Sequence, residues 1–269
     1  MELYITRHGQ TKANVEKYMQ AQTPGELTTE GCEQAKKFGQ YYKNMKFDEI
    51  YCSDILRAKK TLEFILDENI QKEDNTKLIT YTEKLREINC QSLINKPCSL
   101  EIELRSNPAP RFRFNLTGEG DETFIDVFYR ISQFLDELIQ KNISKDYNSG
   151  ITKENVYKLN EDAKIISIDN FNSLWKDGKL TDNNDNSKNN IEFKKILIVC
   201  HGGAISELFN NFLFRMSNNV IIKRIKTSNT GLSIIRIYPK KRNGKIVSNK
   251  DIIFSFKLVD DTTHLNNDK

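Results

Sequence analysis

The chain has 269 residues, 38% of them hydrophobic and 29% charged, with a formal net charge of +4 at pH 7. That length buries a substantial core without disulfides or metals, and the charge is too small for a nucleic-acid partner. No stretch reaches the roughly 18 apolar residues of a membrane span, and the opening MELYITRHG has no leader-like order, so a cytoplasmic protein with no membrane partner is expected.

Leu3 to Thr6 is a short β-prone run ending on Arg7-His8-Gly9, suited to a buried central strand. A loop with Pro24 and Gly25 follows, and then Thr28 or Thr29 caps a helix to about Asn44. Phe47 to Cys52 reads as a second strand, Ser53-Asp54 as the cap of a helix from about Ile55 to Glu68, and Leu78 to Tyr81 as a third strand. Residues 84–120, with Pro97, Pro108 and Pro110, read as an irregular substrate loop holding at most a short helix.

From Asp121 to about Lys141, Phe124, Val127, Phe128, Ile131, Phe134, Leu135 and Leu138 recur at helical steps. A polar insertion follows at about 144–193, with an Asn-rich tract from Thr181 to Asn190 and a small ordered piece near Lys164 to Trp175. Lys195 to Cys200 is apolar enough for a strand covered on both faces, and a helix from about Ala204 to Arg215 comes next. Gly231 to Tyr238 and Ile252 to Val259, joined by a turn at Arg242-Asn243-Gly244, complete the strands. The alternation predicts an α/β fold over 1–269 as a single domain, with a mostly parallel central sheet and helices on both faces. Cys32, Cys52, Cys90, Cys98 and Cys200 show no metal or disulfide spacing and read as reduced thiols.

The chemistry gathers on two His-Gly dipeptides, His8-Gly9 and His201-Gly202, each directly after an expected strand. Ligands of open α/β sheets bind at such strand ends. A neutral imidazole can attack phosphorus in line, and arginine forks can hold the spread charge of a transferred phosphoryl group.

Several motifs carry a resemblance: Arg7-His8-Gly9-Gln10-Thr11-Lys12-Ala13-Asn14, Leu27 to Ala35, Ser53-Asp54-Ile55-Leu56-Arg57-Ala58 through Thr61, Leu85-Arg86-Glu87, His201-Gly202 and Asn229-Thr230-Gly231. In order and spacing they resemble the histidine phosphatase, or phosphoglycerate mutase-like, superfamily. The resemblance implies that fold, a small phosphorylated substrate and no metal or cofactor. It implies His8 as nucleophile, Glu87 as general acid, His201 as a further catalytic donor, and Arg7, Asn14, Arg57 and Gly202 as substrate contacts.

Gly120-Asp121-Glu122-Thr123 and the tail Leu258 to Leu265 resemble the fructose-2,6-bisphosphatase branch, which points to a sugar bisphosphate. Phosphoglycerate mutase, with Arg105, Arg111 and Arg113 available for a second anion, is an alternative, as is a non-catalytic subunit that keeps the fold. Two stretches depart from the family: Gln20-Ala21-Gln22 lacks its Gln-Gly, and Ile88 to Gln91 followed by Ile94-Asn95 lacks its glycines, which predicts a changed backbone near the substrate. Arg130 and Lys245 read as surface charges, and whether Glu119 or Glu122 assists Glu87 stays open.

Overall fold

A computed structural model describes residues 1–99, 120–156, 164–166, 192–217, 220–222, 225, 227–239 and 252–266. Its elements in order are β1 (Glu2–Arg7), α1 (Lys12–Glu16), α2 (Thr29–Tyr41), β2 (Glu49–Ser53), α3 (Leu56–Asp67), α4 (Lys72–Thr76), β3 (Ile79–Thr82), α5 (Phe124–Asn142), β4 (Lys164–Ile166), β5 (Lys195–Cys200), α6 (Gly202–Ser217), β6 (Val220–Ile222), β7 (Leu232–Pro239) and β8 (Ile252–Asp261). A 3₁₀ turn, Thr263–Leu265, follows β8. The Arg242-Asn243-Gly244 turn, the Thr181–Asn190 tract, Glu119, Lys245, Arg105, Arg111 and Arg113 lie outside the described residues.

The main sheet runs β3-β2-β5-β1-β7-β8. β3, β2, β5 and β1 pair in parallel, β7 runs against β1, and β8 against β7. The expected mostly parallel sheet is present, and β4 and β6 pair as a separate parallel ribbon.

Strand side chains alternate between faces, so β1 and β5 divide their apolar residues between two layers. Leu3, Ile5, Ile196 and Ile198 pack with Phe128, Ile131 and Leu135 of α5 and Leu208, Phe209 and Phe212 of α6. Tyr4, Leu197 and Val199 pack on the other face with Ala35 and Phe38 of α2 and Ala58, Leu62 and Ile65 of α3. Both faces of the central strands are therefore dry, which is why their runs are continuously apolar. No helix among the described residues is long and apolar enough to cross a membrane.

Helix ends refine the sequence reading. Thr28 caps α2, its Oγ1 accepting from Gly31 N at 3.0 Å. The helix stops at Tyr41, short of Asn44, where Asn69 Nδ2 takes the carbonyls of Tyr42 and Met45. Ser53 and Asp54 do not cap α3: its cap is Ile55, with no side-chain bond. Ser53 instead meets His201, and Asp54 holds Arg86 through two hydrogen bonds. The helix expected from Asp121 to about Lys141 runs from Phe124 to Asn142 as α5, capped by Thr123 in a reciprocal pair with Asp126.

Candidate active site

β1 and β5 are neighbours in register, with Arg7 opposite Cys200. The two His-Gly dipeptides therefore leave the sheet side by side, and His8 N donates to Cys200 O at 3.0 Å. The His8 and His201 rings lie with centroids 5.2 Å apart, and both are buried.

Each atom of the His8 ring has a defined task. Nδ1–H donates to the Gly9 carbonyl at 2.8 Å, which fixes the tautomer and leaves Nε2 as the ring's acceptor. Arg57 Nε donates to that Nε2 at 3.2 Å. Burial, followed by the positive charges of Arg57 and Arg7, holds the His8 pKa well below the usual imidazole value, so the ring is neutral. Gly9 N is tied to Thr61 Oγ1 at 2.9 Å, anchoring the segment on α3.

Arg57 is almost fully buried, yet its fork is satisfied: Nη1 donates to Thr23 O at 2.5 Å and Nη2 to Ala21 O at 2.9 Å. Burial lowers its pKa to about 10, opposed by Glu87, so it stays cationic at neutral pH. Arg7 Nη1 donates to Thr227 O at 2.9 Å. Asn14 Oδ1 accepts from Thr11 N at 3.1 Å and Asn229 Nδ2 at 3.2 Å, so it both completes the capping box that Thr11 starts on α1 and lines the cavity.

His201 Nε2 meets Ser53 Oγ at 2.8 Å, whereas its buried Nδ1 has no partner among the described residues. Burial, then the neighbouring Arg57, lowers its pKa well below the usual value. An orphan polar atom at full burial is rare, and it is the kind a bound oxygen satisfies.

Glu87 reaches the site on two backbone donors. Its Oε1 accepts from Ile88 N at 2.9 Å and its Oε2 from Gly203 N at 3.1 Å, on the first turn of α6. A Cβ on Gly203 would lie 2.0 Å from Glu87 Oε1, so only glycine leaves the carboxylate in this position. The Glu87 carbonyl is held by Gln22 Nε2 and by Arg130 Nη2, each at 3.0 Å. Arg130 is thus no surface charge: it pairs with Glu122 at 2.9 Å, while Glu122 Oε2 accepts from Asn89 N. The segment after Thr123 and the acid loop are stapled together by this pair.

The missing family glycines have substitutes. Ala21 and Asn95 both adopt left-handed backbone, at φ 48° and 61°. Asparagine tolerates this region better than other side chains with a Cβ, alanine among them. Asn95 N donates to Met19 O, Met19 N to Lys96 O, and Cys98 N to Lys17 O, lacing strip 17–19 to strip 95–98 as one wall.

The cavity measures about 540 Å³. Arg7, His8, Arg57, Glu87, Gly202 and Gly203 are on its surface, joined by Lys17, Tyr18, Met19, Phe124 and Ile225, none of which the motif reading singled out as site residues. Lys17 caps α1 in left-handed backbone at φ 59° and is exposed, a cation whose place at the rim no periodicity encodes.

The family model for the histidine phosphatase superfamily (branch 1) matches residues 3–148. The chain is 28% identical over 242 residues to fructose-2,6-bisphosphatase TIGAR of Mus musculus, covering 87% of each chain. To the protein of the same name from Bos taurus it is 28% identical over 212 residues, 78% of this chain and 76% of that one. A phosphoglycerate mutase structure from Bacillus anthracis str. Sterne superposes with TM-score 0.60 at 18% identity, covering 99% of this chain and 95% of that one, a likeness of fold alone. The family match covers more than half of the chain and contains the motifs of His8, Arg57 and Glu87; the chain belongs to the histidine phosphatase superfamily (branch 1) and is a phosphatase-type hydrolase.

Proposed function

We propose that the protein hydrolyses a small sugar bisphosphate, of which fructose-2,6-bisphosphate is the type, through a phosphohistidine on His8. The observation that carries this reading is the His8 ring itself, neutral, tautomer-fixed and presenting Nε2 beside Arg57. In the first step Nε2 forms a bond to phosphorus as the ester P–O bond breaks, and Glu87 gives the leaving oxygen its proton. In the second, a water oxygen bonds to phosphorus as the N–P bond breaks and its electron pair returns to Nε2, Glu87 takes the water's proton, and inorganic phosphate leaves. Arg7, Arg57, Asn14, the Gly202 backbone and the His201 Nδ1 supply charge and donors to the phosphoryl oxygens.

The bisphosphate preference rests on the cavity and the relatives together. A cavity of about 540 Å³ is of small-metabolite size. Its floor holds two arginines and its rim a separate cation, Lys17, which suits a ligand with two anionic ends. The activity for which the similar TIGAR proteins are named supports the same class.

The test is phosphate release from fructose-2,6-bisphosphate, 3-phosphoglycerate and an aryl phosphate, by wild type and Lys17→Met. The variant is expected to raise KM for the bisphosphate about tenfold, the worth of one charge-assisted contact, with a smaller effect on the aryl ester. Equal effects on both, or isomerisation of phosphoglycerate without release, would sink the bisphosphatase reading.

Gly203→Ala probes the acid. The clash is with a side-chain end that can swing away, and alanine suits a helix, so folding stability should change by no more than about 1 kcal/mol. With Glu87 displaced, kcat on alkyl phosphates is expected to fall about 10²-fold, while aryl phosphates, whose leaving groups need little protonation, should be far less affected. Both rates can be read in one phosphate-release assay.

A further inference from the structure

Loop 227–231 packs against the backbone of the nucleophile segment. Thr227 O accepts from Arg7 Nη1, Thr230 N donates to Arg7 O at 3.1 Å, and Asn229 Nδ2 donates to His8 O at 2.9 Å and to Asn14 Oδ1. Both carbonyls flanking the start of the His-Gly turn are therefore set by this loop.

The loop is held in a conformation it would not choose. Thr230 is β-branched, fully buried and left-handed, at φ 54°. Such a backbone is strained and persists only where its surroundings over-determine it. The surroundings come from the end of the chain. Thr230 Oγ1 lies 3.1 Å from Nε2 of His264, which is buried in the closing 3₁₀ turn and stands edge-on to Phe38 with centroids 5.3 Å apart. Asp260, itself left-handed at φ 48°, takes Ser228 N at 2.7 Å and Ser228 Oγ at 2.9 Å. The β7–β8 ladder shifts register at Leu232, where strand gives way to loop.

We infer that His264 is a positioning residue for phosphoryl transfer: through Thr230 it clamps loop 227–231, and that loop fixes the backbone on which the His8 ring is aimed. His264 touches neither His8 nor substrate; its effect is transmitted by the Thr230 hydroxyl and the backbone bonds to Arg7 and His8. The inference rests on His8 being the attacking group. A small displacement of an attacking atom is costly, up to 10²-fold for 1 Å, so partial release of the clamp should cost about tenfold.

Three variants separate aim from packing. His264→Phe keeps the ring against Phe38 and removes the hydrogen bond, Thr230→Val removes the other end at matched shape, and His264→Gln places an amide where Nε2 stood. For aryl phosphate, both His264→Phe and Thr230→Val are expected to lower kcat about tenfold with KM within twofold, and the double variant to be no worse than either single. His264→Gln should recover most of the rate. In parallel, the His8 Nδ1–H resonance should exchange with solvent faster in both single variants than in wild type. That signal reports the ring without any turnover, so a protein inactive on every ester would overturn the phosphatase reading and still decide this one. Folded variants with unchanged kcat and unchanged His8 exchange, or a His264→Gln protein as slow as His264→Phe, would overturn the positioning role.

Discussion

His8→Ala is expected to abolish turnover, lowering kcat at least about 10⁴-fold on every ester the wild type accepts, while leaving the protein folded. Removing a covalent nucleophile removes the pathway, and what persists is the modest rate a charged cavity gives to direct attack by water. The cavity keeps its charge in the variant, because the Arg57 fork remains held by Ala21 and Thr23. Vanadate should accordingly still bind, and the stability cost should be about 1–2 kcal/mol, for the Gly9 carbonyl that loses its Nδ1 donor. Rapid quench with labelled substrate supplies the second half of the test. Wild type should accumulate a protein-bound phosphoryl group that is labile in acid and stable in alkali, as an N–P bond is, and the variant none. A variant that retains the label places the nucleophile elsewhere.

The protein should also lose stability steeply between pH 6.5 and 5.5. All three histidines of the chain, His8, His201 and His264, are buried, and burial lowers each pKa: the first two well below the usual value, His264 to about 4. The native state refuses protons that the unfolded chain accepts near 6.5, so stability is full above that pH and is lost as pH falls toward the native values. Each histidine contributes about 1 kcal/mol over this interval, and the three together about 3 kcal/mol, a large share of a typical domain's 5–15 kcal/mol. The ion-paired carboxylates Asp54 and Asp126 have pKa values lowered below 3.8, so they stay charged throughout the window. Urea melts at pH 7.5, 6.5 and 5.5 measure the slope, and His264→Phe should reduce it by about a third. Equal midpoints at pH 6.5 and 5.5 would refute the buried-neutral assignment.

What the sequence made legible was whatever local pattern encodes. The unbroken apolar runs before His8 and His201 marked strands covered on both faces, and their adjacency followed once both dipeptides needed one crevice. Arg57, Glu87 and Asn14 were placed by their motifs. What stayed hidden was long-range or conformational. Arg130 sits on a helix whose polar face is ordinarily solvated, and only the fold brings the Glu87 carbonyl to it. Gly203 is needed because of a carboxylate from a distant segment, and Lys17 owes its place to a left-handed cap. His264 was legible only as part of a tail resembling one branch of the family, since nothing near it in the chain announces Thr230. One signal was available: an asparagine where a family glycine is absent, as at Asn95, can keep the left-handed turn that glycine would have made.

The sheet order also bears on how this chain is born. β1 is synthesised first, yet both strands that flank it, β5 and β7, belong to the second half of the chain. At elongation rates of about 5–20 residues per second, roughly 10 to 40 seconds separate emergence of Arg7 from that of Cys200. Throughout that interval the apolar segment of Leu3 and Ile5 lacks both of its partner strands, which leaves it open to pairing with other nascent chains on the same message. Ribosome stalling anywhere before residue 195 would leave that strand unpaired, so the yield of soluble protein should depend on the speed and chaperoning of translation as much as on the stability of the finished fold.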